Sequence, residues 1–223
     1  MNQEQALSLL KETKLVAILR GIPVKQATDI ATALYDGGVR VLEFTFDHDD
    51  PDCVAHNCQR IRAVKKIFGD EMVVGCGTAL TVQEVEASVE AGGQIVISPN
   101  VDVSVIAKTK ALGAISMPGA LTPTEIVMAY NAGADIVKLF PAGTLGVPYI
   151  KAVRGPLGYI PMSAVGGVRP ETIADFLNVG VCGFGVGGEL VKKEFVRNGD
   201  MNALTSRARK FVHAIEQWEA NRS

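Results

Sequence analysis

Residues 134–142 read Ala-Asp-Ile-Val-Lys-Leu-Phe-Pro-Ala, a short apolar run with one lysine, Lys138, near its middle. A run of this length, preceded by a glycine and ended by a proline, is typical of a buried β-strand. Burial lowers the pKa of an amine because the charged form loses hydration, and a neutral lysine is the nucleophile that forms a Schiff base with a ketone. Lys138 is therefore a candidate catalytic residue. The alternative is a lysine near the end of an edge strand, whose ammonium group extends into water.

Seven further segments of the same kind alternate with segments of helical period, and this alternation predicts the fold. The eight predicted strands are residues 15–20, 40–46, 72–76, 94–98, 114–117, 135–140, 160–165 and 181–186. Nearly continuous apolar strands separated by helices are typical of a parallel sheet covered on both faces. Eight of them predict the α/β class and a (β/α)8 TIM barrel. An extra N-terminal helix over residues 3–12 is expected to close the bottom of the barrel. No linker or charge block divides the chain, so we expect residues 1–223 to form a single barrel domain.

Start and stop signals bound the helices. Asp50-Pro51 predicts an N-cap followed by the first helical residue, and Thr81, Thr122-Pro123 and Pro170 mark later helix starts. The last helix is expected over residues 203–218. Glycines recur where a helix ends before the next strand and a left-handed residue is needed. They are Gly37, Gly38, Gly92, Gly93, Gly113, Gly133 and Gly180.

Composition and charge narrow the function classes. The 223 residues are 48% apolar, and the formal net charge of −2 offers no basic surface for nucleic acid or for an anionic membrane. No uncharged apolar run approaches the length of a membrane span, and the first residues do not resemble a signal peptide. The four cysteines have neither C-x-x-C spacing nor companion histidines, which argues against a disulfide framework or a structural metal site. We expect a soluble, cytoplasmic protein that binds a small molecule.

Polar side chains gather where the predicted strands end, which is where barrels of this class place their chemistry. Arg20 ends the first strand, Glu43 and Thr45 lie in the second, and Thr78 follows the third. By the two-residue period of a strand, Glu43 and Thr45 face the barrel interior while the larger apolar residues face the helices. Glu43 and Lys138 are then expected to meet inside. Such a pair is either a buried ion pair or an acid/base next to a nucleophile, and we favour the catalytic pair because burying an ion pair for stability alone gains little.

Seven short motifs in register resemble a known family. They are Ile18-Leu19-Arg20, Val41-Leu42-Glu43, Gly75-Cys76-Gly77-Thr78, Ser98-Pro99-Asn100, Met117-Pro118-Gly119, Val137-Lys138-Leu139-Phe140-Pro141-Ala142 and Gly166-Gly167-Val168. In this order they are similar to the class I aldolases that act on 2-keto-3-deoxy-6-phosphogluconate (KDPG) and 4-hydroxy-2-oxoglutarate (KHG). The resemblance covers roughly residues 5–215. It implies a homotrimeric (β/α)8 barrel that cleaves a small 2-keto acid to pyruvate and an aldehyde, either glyceraldehyde 3-phosphate or glyoxylate.

The resemblance also implies roles for individual residues. Lys138 is the Schiff-base lysine and Glu43 the general acid/base; no metal or other cofactor is implied. Arg20 and Thr78 are candidates for holding the carboxylate of the substrate, with Pro118 as a further substrate-binding residue. The backbone of two glycine pairs is implied to hold a distal phosphate: Gly166 and Gly167, and Gly187 and Gly188. The alternative is that these glycines have a steric role, because crowded strand ends need small residues for tight turns.

Two departures from the family pattern leave the substrate open. Asp47 stands where many members carry an arginine that binds a carboxylate, and Gly188 stands where a phosphate-binding serine is common. The chain also resembles the related 2-keto-3-deoxy-6-phosphogalactonate aldolases, in residues 146–151 and 164–168, and this resemblance implies that Arg20 can take over the carboxylate-binding role. The alternatives are therefore an aldolase specific for the phosphogalactonate and a non-catalytic barrel that binds sugar phosphates.

Residues 47–50 read Asp-His-Asp-Asp, an acidic stretch that could suggest a binding site for a divalent cation. A helix-capping loop is favoured because carboxylates are stabilised at helix N-termini. His56 and His213 fall in predicted helices without a partner pattern, and we assign them no chemistry.

Overall fold

The structure, a computed structural model, describes residues 1–222. The nine strand segments of this part of the chain are, as β1 to β9, Leu15–Leu19, Val41–Thr45, Val73–Gly77, Ile95–Ile97, Ile115–Met117, Gly119–Ala120, Val137–Leu139, Met162–Val165 and Gly183–Val186. The helices are, as α1 to α10, Gln3–Thr13, Ala27–Asp36, Cys53–Phe68, Val82–Glu90, Val103–Ala111, Pro123–Asn131, Ala142–Leu157, Ile173–Asn178, Lys193–Asn198 and Met201–Ala220. Every predicted strand is present, and the helices alternate with them as expected. None of these helices is both long and apolar enough to cross a bilayer.

All strand pairs are parallel, and the sheet runs in the order β5-β4-β3-β2-β1-β9-β8-β7-β6. The predicted fifth strand, residues 114–117, corresponds to β5, which pairs with β4; after Pro118 the chain continues as a further short strand, β6, which pairs with β7. One continuous segment thus joins both ends of the sheet, and the N–H of Asp135 donates to the carbonyl of Ser116 at 3.0 Å across the junction. The predicted (β/α)8 TIM barrel is confirmed, with its fifth strand in two pieces because proline has no N–H to donate to a ladder.

The barrel has two apolar layers, set by the alternation of side chains along each strand. Leu42 and Phe44 of β2 pack outward against the helices, in the main core. A second cluster lies inside the barrel and contains the strand residues Val16, Val41, Val73, Ile95, Ile97, Ile115, Met117 and Val165, together with Ile136 just before β7. Ala6 and Leu10 of α1 belong to this interior cluster. The expectation that an N-terminal helix closes the bottom of the barrel is therefore confirmed.

Most predicted helix signals are confirmed. Thr81 and Thr122 each accept a hydrogen bond from the third residue of the following helix, and that residue's glutamate side chain bonds back to the threonine N–H. Pro170 begins a 3₁₀ turn that leads into α8. The last helix is longer at both ends than predicted. The cysteines are free thiols, as expected.

The predicted helix start at Asp50-Pro51 is wrong, because α3 begins at Cys53. The Asp50 carboxylate accepts the N–H of Asp52 at 3.0 Å and contacts Nδ1 of His56 at 2.7 Å. Asp50 therefore builds a local Asx turn ahead of the helix instead of capping it. His56, to which the sequence pattern gave no partner, has one in this carboxylate.

Candidate active site

A cavity of about 570 Å³ opens at the carboxyl ends of the strands. Its lining includes eight of the nine residues predicted for the site: Arg20, Glu43, Thr78, Lys138, Gly166, Gly167, Gly187 and Gly188. Pro118 is the exception. Its carbonyl accepts the N–H of Lys138 at 2.8 Å, so Pro118 acts on the backbone of the lysine and its side chain does not line the cavity.

Lys138 lies on β7 and points into the barrel. Lys138 is only 8% exposed, and its Nζ lies 5.2 Å from the centroid of the Phe140 ring. Burial lowers the pKa of the amine because the ammonium loses hydration; the nearby charge of Glu43 raises it, and that of Arg20 lowers it further. The edge-strand alternative is excluded, because β7 pairs with β6 on one side and β8 on the other. This amine is held in the environment that favours its nucleophilic form.

Glu43 lies on β2, faces the interior as predicted, and is almost completely buried. Its Oε2 has no hydrogen-bond partner among residues 1–222. Burial raises the pKa of the carboxyl group from 4.5 to about 7, although the positive charges of Lys138 and Arg20 act in the opposite direction. A carboxyl group with this pKa is close to half ionised near neutral pH, which suits a group that must both accept and donate protons.

Glu43 and Lys138 influence each other electrostatically without sharing a hydrogen bond at Oε2. A tight ion pair would hold the lysine as an ammonium and block its attack on a ketone. Oε2 is buried and has no partner, and this loss of hydration favours the protonated form of the carboxyl group. The arrangement can therefore perform nucleophilic attack by an amine together with proton transfer by a carboxyl group.

Arg20 and Thr78 lie at the mouth of the same cavity. Arg20 follows β1 and is solvent-exposed, and its charge acts on both Glu43 and Lys138. Thr78 has a φ of +58°, a left-handed conformation that is costly for a β-branched residue and is found mainly at functional sites. A guanidinium group and a threonine at this place can bind a carboxylate.

Glu84, which was not singled out from the sequence, fixes the loop that carries Thr78. Its Oε2 accepts the N–H groups of Leu80 at 2.7 Å and Thr81 at 2.9 Å. Its Oε1 lies 2.7 Å from Nε2 of His48, in the loop after β2. One buried carboxylate thereby ties together the loops that follow β2 and β3. The three-residue spacing from Thr81 to Glu84 is the capping-box pattern from which the role of Glu84 could have been predicted.

The glycines after β8 and β9 form the wall of the cavity between β7 and β1. Gly166 and Gly167 have φ values of +89° and +71°, which glycine adopts without steric cost. Gly167 also lies against α7, and a Cβ added to Gly143 would come within 2.8 Å of the Gly167 Cα. The N–H groups of Gly167 and Gly188 donate to no acceptor within residues 1–222. Unpaired N–H groups next to a cavity are suited to phosphate oxygens.

The acidic loop after β2 does not take part in the cavity. Asp47 is exposed, accepts the N–H of Asp49 at 3.4 Å, and does not line the cavity. Within residues 1–222 there is no group of three or more histidine, cysteine or acidic side chains that could hold a metal ion. The sequence reasoning also missed Lys193, which lines the cavity from the first residue of α9.

Comparisons with known proteins show the family to which the chain is similar. Residues 7–207 match the family described as KDPG and KHG aldolase. The chain is 37% identical over 182 residues to the "Probable 2-dehydro-3-deoxy-6-phosphogalactonate aldolase" of Rhizobium meliloti (strain 1021), covering 81% of this chain and 83% of the relative. It is 32% identical over 216 residues to the "KHG/KDPG aldolase" of Escherichia coli (strain K12), covering 95% and 96% of the two chains. A solved structure titled "Native KDPGal structure" superimposes with a TM-score of 0.83 at 32% identity, over 92% of this chain and 96% of the other.

Proposed function

The chain belongs to the KDPG and KHG aldolase family and is a carbon–carbon lyase, and we propose that it cleaves a 2-keto-3-deoxy-6-phospho-sugar acid through a Schiff base on Lys138. The products are pyruvate and glyceraldehyde 3-phosphate. The observation that carries this proposal is the pairing, in one cavity, of a buried lysine with a buried carboxyl group that has an unpaired oxygen.

Lys138 and Glu43 divide the chemistry between them. The neutral amine of Lys138 attacks the C2 carbonyl carbon, and Glu43 donates the proton with which the resulting carbinolamine loses water. The ionised Glu43 then takes the proton of the C4 hydroxyl group. The C3–C4 bond breaks, its electron pair moves into the cationic iminium, and the aldehyde leaves from an enamine. Protonation of the enamine at C3 and addition of water to the iminium release pyruvate and restore the amine.

The remaining cavity residues bind the two ends of the substrate. Arg20 faces the carboxylate next to the reacting ketone, with Thr78 as a second donor, since a guanidinium group matches a carboxylate with two parallel hydrogen bonds. The distal phosphate lies against the N–H groups of Gly167 and Gly188. Asp47 takes no part, which is consistent with its position outside the cavity lining.

The phosphogalactonate is the first substrate to test. The relative from Rhizobium meliloti named for it is 37% identical, against 32% for the KHG/KDPG aldolase of Escherichia coli. Asp47 also stands where many members of the family carry a carboxylate-binding arginine, and the position of Arg20 in the cavity lining supports its taking over that role. 4-Hydroxy-2-oxoglutarate, which would give pyruvate and glyoxylate, serves as the comparison without phosphate.

Initial rates on the phosphogalactonate, the phosphogluconate and 4-hydroxy-2-oxoglutarate, coupled to the detection of pyruvate, test the proposal. We expect pyruvate from the two phosphorylated acids, with the phosphogalactonate giving the highest kcat/KM. Binding of all three acids without release of pyruvate would replace the proposal with the non-catalytic barrel.

We further propose a cytoplasmic homotrimer of single-domain barrels, as the family resemblance implies. Exposed apolar side chains near α6 support the association of copies. They include Met128 and the pair Tyr130 and Tyr159, whose rings lie 5.6 Å apart. The molar mass in solution, measured by light scattering after size-exclusion chromatography, checks this proposal against a monomer or dimer.

A further inference from the structure

Lys193 introduces a positive charge on the wall of the cavity that carries Gly187 and Gly188. It is the first residue of α9, two residues after Val191, which also lines the cavity. Three basic side chains line this cavity: Arg20, Lys138 and Lys193. The same segment after β9 contributes Gly187, Gly188, Glu189 and Val191 to the lining. Lys193 therefore belongs to the wall of the cavity that this segment forms.

The charge of Lys193 is not neutralised by the protein. Lys193 is exposed and forms no ion pair within residues 1–222. Glu194, the next residue of α9, does not line the cavity, whereas Glu189 of the segment before the helix lines it but is engaged elsewhere. Oε2 of Glu189 lies 3.5 Å from Nη2 of Arg207, and its carbonyl accepts Nε of Arg207 at 2.8 Å. Arg207 therefore offsets the carboxylate that would otherwise repel an anion, and an unopposed cation remains beside the two glycines.

Gly188 leaves open space at this wall, because a Cβ added there would have no heavy atom within 4 Å. The N–H groups of Gly167 and Gly188 supply two neutral donors and no charge. A phosphate monoester carries a charge of about −1.5 to −2 near neutral pH and three acceptor oxygens. Two N–H groups leave most of that charge uncompensated, and a lysine is a common phosphate partner in this situation.

We propose that Lys193 determines the specificity of the site for substrates with a distal phosphate group. This inference rests on the proposed function and names one more residue of the same site. The ammonium of Lys193 pairs with the phosphate held at Gly167 and Gly188, on the side where the chain lacks a serine hydroxyl group. A shorter substrate without phosphate, such as 4-hydroxy-2-oxoglutarate, gains nothing from this cation.

Lys193→Met tests the proposal, with Lys192→Met as the matched control, since Lys192 is the adjacent lysine and does not line the cavity. With the phosphorylated acid we expect the KM of Lys193→Met to increase about 10- to 100-fold while kcat changes little, as for the loss of a charged hydrogen bond. The kcat/KM for 4-hydroxy-2-oxoglutarate and the trapping of pyruvate by borohydride should not change. Lys192→Met should match the wild type on all substrates, and Lys193→Arg should retain a low KM.

Inorganic phosphate gives a second readout that does not need turnover. Its binding, measured by calorimetry, should weaken in Lys193→Met and not in Lys192→Met, and should weaken with added salt in the wild type because the cation is exposed. If the wild type and Lys193→Met bind phosphate equally and share the same KM for the phosphorylated acid, Lys193 has no such role. A wild-type protein that forms no imine with pyruvate would overturn the proposed function instead, which is a separable result.

Discussion

The carboxylate of Glu43 occupies the space that a side chain on Gly77 would fill. A Cβ added to Gly77 would lie 2.2 Å from Oε2 of Glu43 and 2.6 Å from Oε1. Gly77 is the last residue of β3 and pairs with Thr45 of β2, so the two strands cannot separate to make room without breaking the sheet. The glycine therefore positions the carboxyl group of Glu43 by leaving a space for it.

Gly77→Ala should displace the carboxyl group of Glu43 and lower turnover by about a hundredfold, the loss typical of a misplaced general acid/base. Imine formation with pyruvate should continue, because Lys138 lies on β7. Steady-state rates and borohydride trapping measure the two effects separately. Gly155→Ala is the control: its φ is not positive and an added Cβ meets no atom within 4 Å. Unchanged turnover in Gly77→Ala would show that the carboxylate can move without consequence.

Lys138 should form one covalent adduct with pyruvate on reduction with borohydride, located by mass spectrometry in the peptide that contains it. Lys138→Ala should lose the adduct and all turnover while keeping its fold, because the change removes a nucleophile and buries no new charge. Lys151→Ala, at an exposed position of α7, should behave as the wild type. An adduct on any other lysine would refute the assignment.

Glu43→Gln should slow turnover by about a hundredfold or more with little change in pyruvate affinity, since the amide keeps the shape but transfers no proton. The wild-type pH–rate profile should show an apparent pKa near 7, from the group whose pKa burial raises to about 7. That inflection should be missing from the residual activity of the mutant. Its persistence would assign the titration to another group.

The same raised pKa predicts how stability depends on pH. Folding raises the pKa of Glu43 from 4.5 to about 7, so the folded state holds this proton more tightly than the unfolded state. The free energy of unfolding therefore falls as pH rises between these values, by on the order of 3 kcal/mol, and levels off above them. Relative to the wild type, Glu43→Gln should gain stability over this interval. Glu171→Gln, at an exposed position, should show no such gain in chemical denaturation series.

Arg20→Lys and Arg20→Ala should both weaken the binding of pyruvate, because lysine cannot reproduce the two parallel hydrogen bonds of a guanidinium group. Asp47→Arg should leave pyruvate affinity almost unchanged, since Asp47 lies outside the cavity lining. Pyruvate concentration dependence of borohydride inactivation gives these affinities. Normal binding in both Arg20 variants would make Arg20 a structural residue of the barrel mouth, with Thr78 and nearby N–H groups as the carboxylate site.

The strands and the inward direction of Glu43 could be predicted from the sequence, because both follow from the two-residue period of a strand and from the positions of the glycines. The further short strand after Pro118 was not predicted, since barrel closure depends on which strands meet far apart in sequence. The start of α3 was misplaced because Asp50 bonds to Asp52 and His56 instead of capping. Lys193 was missed because nothing local shows that a short helix after β9 faces the cavity.

The barrel consists of two consecutive halves of the chain, and residues of both halves line the cavity. Strands β1 to β5 form one half of the sheet order and β6 to β9 the other, with their joints at the β1·β9 pair and at Pro118. Of the residues that line the cavity, the first half supplies Arg20, Glu43 and Thr78, and the second supplies Lys138 and the glycines after β8 and β9. A nascent chain of which only the first half has left the ribosome therefore contains Glu43 but not yet Lys138. Fragments divided after Pro118 would be inactive alone, and recovery of activity on mixing would report directly on the assembly of the two halves.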